Sequence, residues 1–386
     1  MTFPFSDFSR LLATWFQTAQ RDLPWRRPEN ASDGYRVLVS EMMLQQTTVA
    51  AATGFYTRFL ARFPDIETLA AAPLDDVLAV WAGLGYYARA RYLHAMAQTV
   101  IANGGTFPRD LESIQKLPGV GRYTAGAVAS IAFDIPAPIV DANVARVFSR
   151  IFLVEGDLKK SENSARLWHY AEAVVVSGAT QKIAPSQLNP ALMELGALIC
   201  IPRNPRCDVC PVESFCGARR ENRQDELPFV LPKTAPTELN DVCVRLVSTV
   251  EIGCPPRSEA ESGRADTCFW LRQRSHEKGI WWRGMWELPR TTRRDGETDA
   301  DAVGRLLREE LKIENFSIEE KVQTIKHGVT TFRIMLNCYQ VRIAETPDAQ
   351  RFSLEASEAL AMPSTMRRLV RILANDAIEP RQPSLF

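Results

Sequence analysis

Apolar residues recur at helical spacing, or in compact runs, through most of the first 225 positions. Tyr35–Leu44, Asp76–Val80, Thr124–Phe133 and Leu192–Ile199 are the clearest cases, and Gly or Pro separates them. Pro228, Pro232 and Pro236 then fall among polar neighbours, a texture that predicts an extended, semi-rigid linker. Beyond it the pattern changes to strand-like segments at Val242–Val250, Cys268–Arg272 and Phe332–Val341, interrupted by a helical pattern at Asp299–Leu311. No repeat of fixed period and no low-complexity tract is present. The expected organisation is a mainly α domain over 1–225, a proline-containing linker over 226–240 and a smaller α+β domain over 241–386.

Composition narrows this only slightly. At 46% hydrophobic and 24% charged residues the chain has ample material for packed cores, and it is not that of a disordered protein. Basic and acidic residues balance at 46 each; up to residue 225 there are 23 basic and 22 acidic. A polyanion would have to be gripped by local geometry, not bulk charge. No stretch approaches the roughly 18 apolar residues of a membrane span, and Met1–Arg10 lacks a secretory signal pattern. The expectation is a cytoplasmic protein with no membrane association.

The eight cysteines are unevenly placed. Cys200, Cys207, Cys210 and Cys216 give C-x6-C-x2-C-x5-C, while Cys243, Cys254, Cys268 and Cys338 are scattered and read as small buried hydrophobes. Four thiolates on short loops can hold zinc tetrahedrally or bind the corners of a cubane iron–sulfur cluster. Leu117-Pro118-Gly119-Val120-Gly121 precedes a small-residue helix, so its backbone N–H groups suit a phosphate oxygen. The four histidines show no metal-ligand spacing.

Taken together these motifs resemble the MutY-type adenine DNA glycosylases of the helix–hairpin–helix, endonuclease III superfamily. The cysteine spacing is similar to that family's 4Fe–4S loop and LPGVG to its hairpin. Ser40-Glu41-Met42-Met43-Leu44-Gln45-Gln46-Thr47 and Val140-Asp141-Ala142-Asn143-Val144-Ala145-Arg146-Val147 are similar to its two catalytic segments, with Ala142 standing at the family's glycine. Gly279–Pro289 looks like part of the MutT-like (Nudix) domain that ends such proteins.

The resemblance implies removal of adenine from double-stranded DNA containing 8-oxoguanine·A or G·A mispairs. Breaking that N-glycosidic bond needs an acid for the departing base and negative charge beside the oxocarbenium-like sugar. Glu41, among apolar neighbours, is expected to be the general acid, and Asp141 to stabilise the cation; Tyr123 and Asn143 complete the catalytic set. Bifunctional relatives carry a lysine two residues after LPGVG; Tyr123 cannot form a Schiff base, so the expected enzyme is monofunctional. Gln46 and Tyr86 match the family's wedge residues and Trp25, Arg26 and Glu194 its adenine pocket, while Leu117, Gly119 and Gly121 would meet DNA. The cluster would be structural, with Arg203 and Arg206 helping to position DNA.

Two departures stand out. In the Nudix box Arg305, Glu309 and Glu310 are kept, but Leu306 replaces a carboxylate and Lys312 a glycine, so no nucleotide hydrolysis is expected. In the loop that reads 8-oxoguanine, Thr330 could replace the family's serine, but Thr331 stands where a second histidine belongs. Two rival readings exist: a bifunctional endonuclease III-like glycosylase/lyase, and a non-enzymatic iron–sulfur DNA-binding protein. Tyr123 and the C-terminal domain oppose the first; Glu41 with Asp141 opposes the second.

Overall fold

A computed structural model describes residues 3–231, 234–249, 268–277 and 281–378, with side chains to residue 375. Pro232, Val250, Cys254, Gly279 and Ile280, which figure in the expectations above, lie outside the described residues. Internal contacts divide the chain into two units: 1–72 with 88–233, and 73–87 with 234–386.

The first unit is helical. Its principal elements are α1 (Phe5–Ala19), α2 (Gly34–Leu44), α3 (Ala88–Ala102), α4 (Leu111–Gln115), α5 (Arg122–Phe133), α6 (Ala142–Ile151), α7 (Ser161–Thr180) and α8 (Pro185–Leu198). Aspartates start several of them: Asp33 accepts from Tyr35 N and Arg36 N, Asp110 from Ser113 N, and Asp141 from Val144 N. Phe8, Leu12 and Phe16 of α1 pack with Val144, Val147 and Phe148 of α6 and Leu188, Leu192 and Leu195 of α8 into one core. The small residues Ala125, Ala127 and Ala129 let α5 sit deep among its neighbours. Helix α2 is buried on nearly all sides, from Val37 to Met43, so Glu41 is carried into the interior by a helix that apolar packing holds.

The second unit is built on a four-stranded sheet of order β4-β1-β6-β5 and a three-stranded sheet of order β3-β2-β7. The strands are β1 (Thr237–Ser248), β2 (Cys268–Gln273), β3 (Trp286–Glu287), β4 (Arg290–Thr292), β5 (Phe316–Val329), β6 (Phe332–Ile343) and β7 (Gln350–Ser353). β1 runs parallel to β6 with Cys243 opposite Cys338, and β5 pairs antiparallel with β6. Side chains alternate across β1: Val242, Val244 and Leu246 join α9 (Asp299–Arg305), while Cys243 faces Met366, Leu369 and Leu373 of α10 (Ser364–Ile378). Cys243 and Cys338 are buried, as expected of small hydrophobes. Cys268 departs from that expectation, being half-buried and disulfide-bonded. No helix among the described residues is long and apolar enough to cross a membrane.

Candidate active site

A cavity of about 990 Å³ in the first unit is lined by Glu41, Tyr123, Asp141, Asn143, Trp25, Arg26 and Glu194. Residues far apart in sequence are thus brought to one cavity. Glu41 is 4% exposed and accepts a 2.7 Å hydrogen bond from the Tyr123 hydroxyl to Oε2. Burial pushes its carboxyl up to about 7; the Tyr123 bond opposes the rise, the negative charge of Asp141 adds to it and Arg26 subtracts. The Glu41 carboxyl is thereby held toward its protonated form. Burial and the two nearby carboxylates hold the Tyr123 phenol well above its usual range, so it stays a donor.

Asp141 is bound differently. Its Oδ1 accepts from Val144 N at 2.7 Å as the cap of α6, and its Oδ2 accepts from Asn143 Nδ2 at 2.9 Å. Burial raises its carboxyl, while these two donors and the charge of Arg146 pull the other way. Arg146 in turn donates to Asn143 Oδ1 at 2.9 Å and to the carbonyls of Gly196 and Cys200, both at 2.7 Å. Asn143 thus lies between the cation and the carboxylate. A Cβ on Gly196 would come within 2.6 Å of Asn143 Cβ and 3.1 Å of its backbone. Gly196→Ala should therefore lower stability by about 1–3 kcal/mol despite alanine's helix preference, and slow catalysis by displacing Asn143. Thermal melting measures the first effect and turnover the second.

Glu194 is 1% exposed and both its oxygens are taken. Arg21 donates from Nε and Nη2, each at 2.8 Å, and from its backbone N, while Arg26 donates from Nη2 at 2.8 Å and Nη1 at 3.1 Å. Burial alone would raise its carboxyl, but the two guanidiniums hold it near 2. Glu194 is thus a fixed anion with Arg26 as its partner, and Trp25 stands edge-on to Tyr56 beside them.

Gln46 and Tyr86 are both exposed and both left-handed, at φ 56° and 49°. Side chains other than glycine rarely sit there, and such strain clusters at working sites. Leu117 is buried, so only its backbone can meet a ligand. Gly119 has φ 75°, and a Cβ there would meet Tyr92 Cβ at 2.4 Å. Gly121 precedes α5 with no side chain capping its first N–H groups. In the second unit Thr330 occupies the β5–β6 turn at φ 52°, its hydroxyl donating back to Val329 O at 2.7 Å. His327 is half-buried near Trp282, with neither ring nitrogen hydrogen-bonded; burial and Arg290 hold its imidazole below its usual range, against Asp241. The Nudix-box side chains are tied up: Glu310 with Arg272 at 2.6 Å and Arg305 with Glu297 at 2.7 Å, while Leu306 is buried.

Cys200, Cys207, Cys210 and Cys216 line one small cavity just past the end of α8, together with Arg150 and Arg219. Among the described residues no three His, Cys, Asp or Glu side chains converge as a single metal ion would need. Four thiols lining one space are a donor set that could hold a metal centre. Burial pushes the Cys210 thiol up to about 12. The buried Arg150 donates to Cys200 Sγ at 3.3 Å, a complement to thiolate charge. Arg203 and Arg206 are exposed on the first loop. Sequence reasoning missed Arg21 and Arg150, which no spacing rule ties to their distant partners, and it quoted Arg146 within the Val140–Val147 segment without giving it a role.

Comparison with known proteins follows this division. Residues 39–172 match the family described as HhH-GPD superfamily base excision DNA repair protein, residues 200–216 the iron-sulfur binding domain of endonuclease III, and residues 263–371 the NUDIX domain. A human adenine DNA glycosylase is 45% identical over 227 residues, covering 57% of this chain, and an Arabidopsis thaliana adenine DNA glycosylase is 34% identical over 342 residues, covering 80%. The chain spans 41% and 51% of those relatives' own lengths. A solved thermostable thymine-DNA glycosylase is 32% identical, with a TM-score of 0.49 over 56% of this chain and 97% of that one.

Proposed function

Since the chain belongs to the HhH-GPD superfamily of base excision DNA repair proteins, with an endonuclease III-type 4Fe–4S loop and a Nudix-like domain, we propose that it is a monofunctional adenine DNA glycosylase. It hydrolyses the N-glycosidic bond of adenine opposite 8-oxoguanine or guanine in double-stranded DNA. The observation that carries this reading is the buried Glu41, titrating near 7 in a cavity that also holds Asp141.

The everted nucleotide would place adenine in this cavity. Protonated Glu41 gives its proton to adenine N7, so the C1′–N9 electron pair leaves with a neutral base. The deoxyribosyl cation forms beside Asp141, whose carboxylate stabilises it until water adds at C1′ and a proton returns to Glu41. Tyr123 orients Glu41 and offers no amine for strand cleavage, so an abasic site remains. Glu194 serves by fixing Arg26 against the base edge, and Trp25 forms the pocket wall. Gln46 would fill the gap in the duplex, Tyr86 of the second unit is proposed on its own as a further residue meeting DNA, and the hairpin from Leu117 to Gly121 would bind backbone phosphate through its N–H groups. Cys200, Cys207, Cys210 and Cys216 would hold the 4Fe–4S cluster, which supplies structural support to the Arg203–Arg206 loop and takes no part in the bond-breaking step. The Nudix-like unit reads the opposite base with Thr330 at its hairpin tip, without hydrolysing nucleotides. The protein would act as a monomer in the compartment that holds DNA.

Single-turnover adenine release from 8-oxoguanine·A, G·A and T·A duplexes tests the reading. The first two should react, T·A should not, and borohydride should trap no strong adduct; equal release from T·A would defeat it. The acid must be protonated, so the rate should fall above pH 7, approaching about tenfold per pH unit. A rate still rising at pH 9 would remove Glu41 from that role.

A further inference from the structure

Helix α2 carries Glu41, and the loop that follows it carries Gln46. The last carbonyls of a helix lack partners within it, and a glycine just past the end commonly closes the turn. Here that left-handed position holds Gln46, at φ 56°. The carbonyls are met by Arg89, the second residue of α3, which is buried. Its Nη1 donates to Met42 O at 2.7 Å, Met43 O at 2.9 Å and Gln45 O at 2.6 Å, and its Nη2 to Thr47 Oγ1 at 3.3 Å. One guanidinium thus grips the chain on both sides of Gln46.

We propose that Arg89 is the positioning residue for Gln46: by satisfying the α2 carbonyls it lets a long side chain, not glycine, occupy the left-handed position and project toward the duplex. The strain of that conformation is offset by charged hydrogen bonds available only to a planar, multi-donor cation. Lysine keeps the charge but is a point donor that cannot span from Met42 O to Thr47 Oγ1. The same grip ties the probe to the helix bearing the acid, so insertion of Gln46 and placement of Glu41 move together. This rests on the glycosylase reading for its purpose, though not for its geometry.

The test uses the full chain and the variants Arg89→Lys, Gln46→Gly and both together. In Arg89→Lys, amide exchange over 45–48 should rise about tenfold while exchange in α3 changes little, and the melting temperature should fall by a few degrees as buried carbonyls lose their donors. The affinity ratio for 8-oxoguanine·A over T·A duplexes should fall about tenfold in Arg89→Lys and in Gln46→Gly. The double variant should lose no more than Gln46→Gly alone, because Arg89 acts through that residue. Additive losses, an equal fall for both duplexes, or unchanged exchange would overturn the proposal. Should the native protein release no adenine from any duplex, the glycosylase reading fails, while the exchange data still decide whether Arg89 holds the loop.

Discussion

Glu41→Gln should slow single-turnover adenine release by about 10³-fold, within the range expected for loss of a positioned general acid, while making the folded protein more stable in mild base. The two effects have one cause. Glutamine fills the same space and can accept from Tyr123, but it has no proton to give. In the folded chain burial pushes the Glu41 carboxyl from its ordinary 4.5 up to about 7. A carboxyl whose folded value is raised binds more protons folded than unfolded between those two values. Its favourable contribution is therefore complete below the unfolded value and is lost as pH rises through the folded one. Above pH 7 the buried anion costs on the order of 3 kcal/mol, which glutamine removes. The variant should melt several degrees higher than the native protein at pH 8 and at the same temperature near pH 4. Activity within tenfold of native, or a lower melting temperature at pH 8, would show that Glu41 is neither the acid nor an ionisable group in a dry site.

Much of this site was legible because it lies in short segments. Glu41 sits in an apolar run that buries itself, so both its helix and its dry surroundings followed from pattern. The cysteine spacing and the LPGVG turn are local chemistry of the same kind. What stayed hidden is long-range. Arg21 meets Glu194 across 173 positions, Arg150 meets Cys200 across 50, and nothing in an arginine's neighbours says which distant anion or carbonyl it will find. The second unit was harder. β5 is a polar strand with bulges on a sheet edge, so it lacks the strict alternation that marks a half-buried strand. The helical pattern over Asp299–Leu311 was expected as one helix, but after Arg305 it widens to a π-turn over Leu306–Glu310. The sequence also gave no sign that residues 73–87 fall in the second unit. Local pattern specifies elements; partner choice is tertiary.

Asp141→Asn separates charge from architecture at the other carboxyl. Asparagine caps helices about as well as aspartate, so the bond from Val144 N, and with it the start of α6, should survive. The second bond should not, because an amide nitrogen would then face the donating Nδ2 of Asn143. Asn143 cannot simply flip, since its oxygen accepts from Arg146. The expected loss of stability is about 1 kcal/mol, read by thermal melting. The catalytic loss should be far larger, about 10²–10³-fold, because a full negative charge beside the deoxyribosyl cation is removed. The pH profile carries a further signature. Asp141 pushes the Glu41 carboxyl up by its charge, so neutralising it should lower the pH at which the residual rate declines. Glu41 would then lose its proton earlier, and part of the deficit should be recovered by assaying at lower pH. If the decline stays at the native pH, the two carboxyls do not sense one another, and the assignment of acid to one and electrostatic stabiliser to the other loses its physical basis.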